Sequence, residues 1–82
     1  MEETRVAIIA IIVDDDSAVS LVQTLLSEHS EHIIGRMGIP YKEKNVKIIS
    51  VVLDASTDTI NALTGKIGKL KNVSAKTVYS KV

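Results

Sequence analysis

The chain has 82 residues, ten lysines plus arginines against ten aspartates plus glutamates, and no cysteine. That length supports a single domain over residues 1–82, and the balanced charge argues against a dedicated nucleic-acid or membrane-surface binder. Without cysteine there is no disulfide or thiolate metal site to staple a fold that, by area scaling, buries only about 63% of its unfolded surface.

The opening MEETRVAIIAIIVDDD has an acidic flank, an apolar run too short for a membrane span and no small-residue cleavage site, so neither a signal peptide nor an anchor is expected. A cytoplasmic domain without a membrane partner is the default. Val6–Val13, VAIIAIIV, is a continuous β-branched and small apolar run that predicts a buried strand, halted by Asp14, Asp15 and Asp16. Ser17 or Asp16 is the expected cap of a first helix, with Val19, Leu21, Val22, Leu25 and Leu26 as its apolar stripe. That helix fades at Glu28 to Ser30. A second strand is predicted from about Glu31 to Ile39, and YKEKN turns the chain into a third, Val46–Leu53, which Asp54 ends.

Ser56 or Thr57 caps a second helix, where Ile60, Leu63, Ile67 and Leu70 recur at helical spacing. Gly65 and Gly68 each weaken it by about 1 kcal/mol relative to alanine, which close packing or an early end must offset. Asn72 suits the helix exit, and Val73–Tyr79 alternates as a last strand. No acid follows Asp58, while Lys66, Lys69, Lys71, Lys76 and Lys81 do, a pattern of solvated helix end and outward strand face.

The order strand, helix, strand, strand, helix, strand is an α+β, ferredoxin-like βαββαβ arrangement: a four-stranded antiparallel sheet with both helices on one face. Right-handed crossovers put the first and third strands, the two apolar runs, in the centre. The uncovered face then presents a difficulty. In the first strand Val6, Ile8, Ala10 and Ile12 alternate with Ala7, Ile9, Ile11 and Val13; in the third, Val46, Ile48, Ser50 and Val52 alternate with Ile49, Val51 and Leu53. Whichever set the helices bury, an aliphatic set stays open. Covering even about 400 Å2 of it is worth on the order of 10 kcal/mol before association costs, so self-association as a homodimer or homotetramer is expected.

Candidate sites are few. In IIGRMGIPY, Gly35 and Gly38 signal a bulge, a bend or close approach of another backbone, and Pro40 fits an edge strand. Arg36 suits a carboxylate or phosphate, so Gly35, Arg36, Met37, Gly38 and the adjacent Tyr41 form a candidate ligand cleft; a kinked, charged edge that discourages stray pairing is the plainer alternative. His29 and His32 could share a metal ion, though histidine is favoured at a helix end anyway and two ligands fall short of a site. The DDD run lacks the spacing of a calcium loop, and TGKIGK at 64–69 lacks the spacing of a phosphate loop and lies in a helix. No catalytic constellation is present, no cofactor is called for, and no enzymatic activity is expected. Acylphosphatases share this fold and size, but their Gly-Arg phosphate loop joins the first strand to the first helix, where this chain has acidic VDDDSAV.

IIGRMGIPY, together with ALTGKIGKL and the ending KNVSAKTVYSK, resembles the small ACT-like regulators associated with the iron-only hydrogenase system. The resemblance spans essentially the full length. It implies an ACT-like fold, a homo-oligomer and a regulatory role, with transcriptional regulation one form of it, and it names no effector; the expected partner besides a second copy is an unidentified small molecule. More distantly the chain is similar to the C-terminal regulatory domain of nickel-responsive repressors, which tetramerises and binds nickel between subunits. That site uses a His-x-His in the second strand and a cysteine near the start of the third; MGIPYKEKNVK has neither, and only His29 or His32 matches the remaining histidine. The repressors' ribbon-helix-helix precedes their regulatory domain, whereas here the first strand comes at once, so direct DNA binding is not expected. ACT domains often place a glycine after the first strand to admit an amino acid, and VDDDSAV has none. Three readings follow: a small-molecule-sensing regulatory oligomer, a metal sensor through His29 and His32, or a purely structural interaction module.

Overall fold

The computed structural model describes residues 3–81. Strand β1 (Arg5–Val13) leads to helix α1 (Asp16–Glu28); a 3-10 turn over Ser30–His32 opens strand β2 (Ile33–Tyr41). A second 3-10 turn, Lys42–Lys44, connects to β3 (Val46–Ala55), followed by α2 (Thr57–Gly68) and β4 (Val73–Tyr79). The sheet order is β2-β3-β1-β4 with every pair antiparallel, the ferredoxin-like topology expected from the element order.

Both helices bury the same sheet face. Ala7, Ile9, Ile11 and Val13 of β1 and Ile49, Val51, Leu53 and Ala55 of β3 are almost wholly excluded from solvent. Against them pack Ala18, Val22 and Leu26 of α1 and Ile60, Leu63 and Ile67 of α2, with Val19, Leu25 and Leu70 at the margin. Leu21 does not join them and stays about half exposed. At 100° per residue it stands about 100° from the centre of the Ala18–Val22–Leu26 stripe, too far round to reach the sheet.

The caps show why each helix starts where it does. Asp15, one residue before the earlier of the two expected caps, adopts the extended backbone of an N-cap and accepts from the Ser17 N–H at 3.0 Å. Asp16 then sits in the first turn, where its charge suits the helix dipole. Ser56 caps α2, accepting from the Thr59 N–H at 3.2 Å. Helix α2 ends at Gly68, and a Cβ added at Gly65 or Gly68 would meet open space, so close packing explains neither glycine; an early end accommodates Gly68, while Gly65 stays inside the helix.

Two asparagines take the left-handed conformation in tight connections, Asn45 at φ 55° and Asn72 at φ 66°. Asn72 also ties two loops together. Its carbonyl accepts from the Asp14 N–H at 3.0 Å, and its side-chain amide donates to Asp15 Oδ2 at 3.2 Å. Several expected boundaries move, among them the end of β2, which runs past Ile39 to Tyr41. Strand β3 runs through Asp54 to a buried Ala55, because β1 begins early enough to pair Val6 with Asp54 and Arg5 with Ala55. Strand β2 begins at Ile33 and not Glu31, since the His32 N–H donates to the His29 carbonyl at 3.0 Å and closes a turn first.

Candidate functional site

The sheet's uncovered face is the most distinctive surface of the molecule. Of the large hydrophobic residues left exposed, all but Leu21 and Ile34 lie on it: Val6, Ile8, Ile12, Met37, Ile39, Tyr41, Ile48 and Val78. Strand register arranges this face in rows. Gly35, Val52, Ile8 and Val78 lie abreast; then Met37, Ser50, Ala10 and Lys76; then Ile39, Ile48, Ile12 and Ser74. Across those three rows Lys76 is the single charged side chain. A solvated face of an antiparallel sheet ordinarily reads polar at every second position, and this one does not.

At one edge of the face lies β2, and the register decides what its residues can do together. Arg36 is opposite Val51 and Gly38 opposite Ile49, on the helix side; Gly35, Met37 and Tyr41 are opposite Val52, Ser50 and Val46, on the open side. The five candidate ligand residues therefore straddle the edge of the sheet and do not line one intramolecular cleft. Arg36 crosses to α1 and donates to Gln23 Oε1. The register slips between Ile33 and Gly35, which is the bulge expected for a strand glycine, yet neither Gly35 nor Gly38 has a positive φ. A Cβ at Gly35 would meet nothing within 4 Å, and one at Gly38 only the Lys47 side chain at 3.7 Å. Their backbone conformation does not demand glycine; what the two glycines do is leave the edge bare.

Tyr41 reaches a second feature, a shallow cleft of about 250 Å3 lined by Asp16, Pro40, Tyr41, Lys42, Asn45 and Lys47. The tyrosine hydroxyl donates to Glu43 Oε2 at 3.0 Å. Lys42, Asn45 and Lys47 were not singled out from sequence; the signal available was the YKEKN turn, whose left-handed Asn45 folds the loop against the start of α1.

His29 and His32 lie at the exit of α1. The His29 ring shares a hydrogen bond through Nδ1 with the Leu25 carbonyl at 2.9 Å, and His32 Nε2 is 3.8 Å from Glu31 Oε1. Among the described residues no group of three or more histidines, cysteines, aspartates and glutamates is placed to hold a metal ion. The titrating group with a resolved perturbation is Asp15. Hydrogen bonds from the Ser17 N–H and hydroxyl hold its carboxyl below the usual aspartate range; partial desolvation opposes them more weakly, and the Asn72 amide and the Lys71 charge add the smallest lowering effects. That is the signature of a helix cap. Lys66, Lys69, Lys71, Lys76 and Lys81 are all exposed, as read from their spacing. No helix among these residues is long and apolar enough to cross a membrane.

With this geometry in hand, comparison with known proteins is informative. A family model described as "Iron-only hydrogenase system regulator, putative" matches residues 5–77. The chain belongs to this TM1266-like family. The resemblance carried by IIGRMGIPY and ALTGKIGKL thus holds. Among solved structures, the chain is similar to the uncharacterized protein TM1266 from Thermotoga maritima, with 44% identity over 96% of this chain and 100% of that chain, at a TM-score of 0.93. No curated protein matches. The family description makes a regulatory role in the iron-only hydrogenase system the functional frame for the surfaces described above.

Proposed function

We propose that this chain is a non-catalytic regulatory domain that works as a homo-oligomer, its copies pairing through the open sheet face, and that it senses an anionic small molecule where the β2 edges of that assembly come close. The observation that carries the reading is the concentration of exposed large hydrophobics on one sheet face, in a chain whose family is described as regulatory. An apolar face of this extent is costly in water and marks an interaction surface. The β2 residues straddle the rim of that face. Arg36 on the helix side supplies positive charge, while Gly35, Met37 and Tyr41 border the paired surface and the two glycines leave the edge without side-chain cover. A ligand bound there meets both layers of the domain, so its binding can bias how copies sit against one another.

The test is solution mass by light scattering, followed by a thermal-shift screen against small anions. A mass that is a multiple of 8.9 kDa, with a ligand response lost in Arg36→Ala, is the expected result. A stable monomer at micromolar concentration overturns the pairing. An unchanged ligand response in Arg36→Ala overturns the assignment to the β2 edge.

A further inference from the structure

The rows of the open face also say which way round a second copy must lie. We infer that two copies pair face to face about a two-fold axis running along the strands, between β1 and β3, so that the β2 edge of one copy covers the β4 edge of the other. This rests on the pairing proposed above and adds its geometry. The face carries eight large hydrophobic residues, each between 38% and 66% exposed, the apolar centre that an interface of standard size, about 800 Å2 per partner, requires.

A closed pair with the open faces in contact places its two-fold axis in the plane between the sheets. Two settings keep the strands of both sheets aligned, as stacked sheets prefer, and also lay all three rows of one face on those of the other, which centres the axis on the middle row or between β1 and β3. With the axis across the strands, through the middle row, that row lies on its own copy: Met37 on the partner's Met37, Lys76 on the partner's Lys76. With the axis along the strands every row keeps its height and inverts its order. Gly35 then faces the partner's Val78, Met37 the partner's Lys76, and Ile39 the partner's Ser74.

Both settings match volumes at the corners. In the strand-parallel one, Val78, the most exposed apolar residue of the face, meets the bare backbone of Gly35, and bulky Ile39 meets a serine. The first setting does as well there, placing Gly35 against Ile39 and Val78 against Ser74. The middle row decides between them. Stacking Lys76 on itself brings two ammonium groups together at the rim of an apolar contact, and like charges juxtaposed at an interface disfavour it strongly. The strand-parallel axis separates the two lysines to opposite edges and lays the aliphatic stem of each along a methionine, whose flexible thioether fills irregular gaps. Ala10 and Ser50, small residues at the centre of the same row, let the sheets approach most closely there in either case.

The natural absence of cysteine makes the orientation directly measurable. Met37 and Lys76 sit on opposite edge strands of one sheet, about 14 Å apart by strand spacing, and a link within one chain would leave its mass unchanged. The doubly substituted chain Met37→Cys, Lys76→Cys is treated with a short rigid bis-maleimide and run under denaturing conditions beside each single variant. A covalent dimer from the double variant, with little from Met37→Cys or Lys76→Cys alone, supports the strand-parallel axis. A comparable dimer yield from Met37→Cys alone, which keeps Lys76 and its charge, overturns it in favour of the axis across the strands. No cross-linking in any variant, while the unsubstituted chain is a dimer by light scattering, overturns the choice of this face. A monomeric unsubstituted chain removes the pairing on which this geometry rests, so the two failures are told apart by the mass alone.

Discussion

Ile8 and Ile9 are neighbours on one strand with identical side chains, yet Ile9 is 0% exposed and Ile8 is 43% exposed. The difference runs along the whole of β1 and β3: one alternating set is sealed under two helices, the other meets solvent. What separates them is a layer, not chemistry. A sheet in which both alternating sets are aliphatic has two cores' worth of apolar surface and, in a single copy, one cover. On the covered face these side chains stabilise the fold of each copy. On the open face they have that role only if something else lies over them, and the absence of charge from all but Lys76 in the central rows fits another apolar surface better than water.

The contrast can be tested by treating matched positions on the two faces alike. The largest loss of stability is expected from Ile9→Ala or Leu63→Ala, each removing a fully buried side chain from the helix-covered core. Chemical denaturation is expected to show about 2–5 kcal/mol of destabilisation, where a loss below 1 would mean the core is loosely packed. Ile8→Asp and Ile12→Asp are expected to leave far-UV circular dichroism intact while weakening self-association about thirtyfold or more, read by light scattering across a dilution series. If Ile8→Asp unfolds the chain as Ile9→Ala does, the two faces are not distinct in role.

Smaller effects sharpen the same contrast within the covered layer. Ser56→Ala removes the α2 cap and is expected to cost about 1 kcal/mol in denaturation midpoint terms, with no change in oligomeric mass. Gly65→Ala is expected to add about 0.5–1 kcal/mol, because its site is exposed, helical and open to a Cβ. Asp15 gives the smallest effect. Its carboxyl titrates below the ordinary range when folded, so its contribution is complete above the unfolded value and is lost as pH falls through the folded one. Asp15→Asn is expected to lower stability slightly at neutral pH, with the difference from the unsubstituted chain shrinking to nothing as pH falls below about 4, read from denaturation midpoints across pH.

Much of this architecture is legible in the residue order, and the exceptions have identifiable causes. The apolar runs at Val6–Val13 and Val46–Leu53 mark central strands because only strands buried on at least one face and flanked on both edges tolerate such continuity. Ile60, Leu63 and Ile67 appear in the core as their spacing requires. Leu21 fails because helical periodicity identifies a broad stripe but not its centre, which Ala18, a residue too small to stand out, helps to set. Asp54 fails as a strand end because an exposed carboxylate at the margin of the open face remains hydrated within a strand. Asp15 takes the cap from Asp16 and Ser17 because the cap is chosen by which residue is still extended when its side chain meets the second N–H beyond it, a property of backbone and not of composition. The GRMG stretch was legible as an edge with a bulge. Arg36 and Met37 must point to opposite sides as neighbours in a strand, but that Arg36 is the one on the helix side depends on the register after that bulge, which no local pattern reports.

The chain's residue pattern alone was enough to establish four strands, two helices, their order, and an excess of aliphatic surface on both sides of the central strands. Only the tertiary structure decided which of the two aliphatic sets is left in the open and how the candidate residues of β2 divide between the faces. The reason is a symmetry of the strand itself. A period of two is the same pattern seen from either side, and it acquires an inside and an outside only when the crossovers carry both helices to one face.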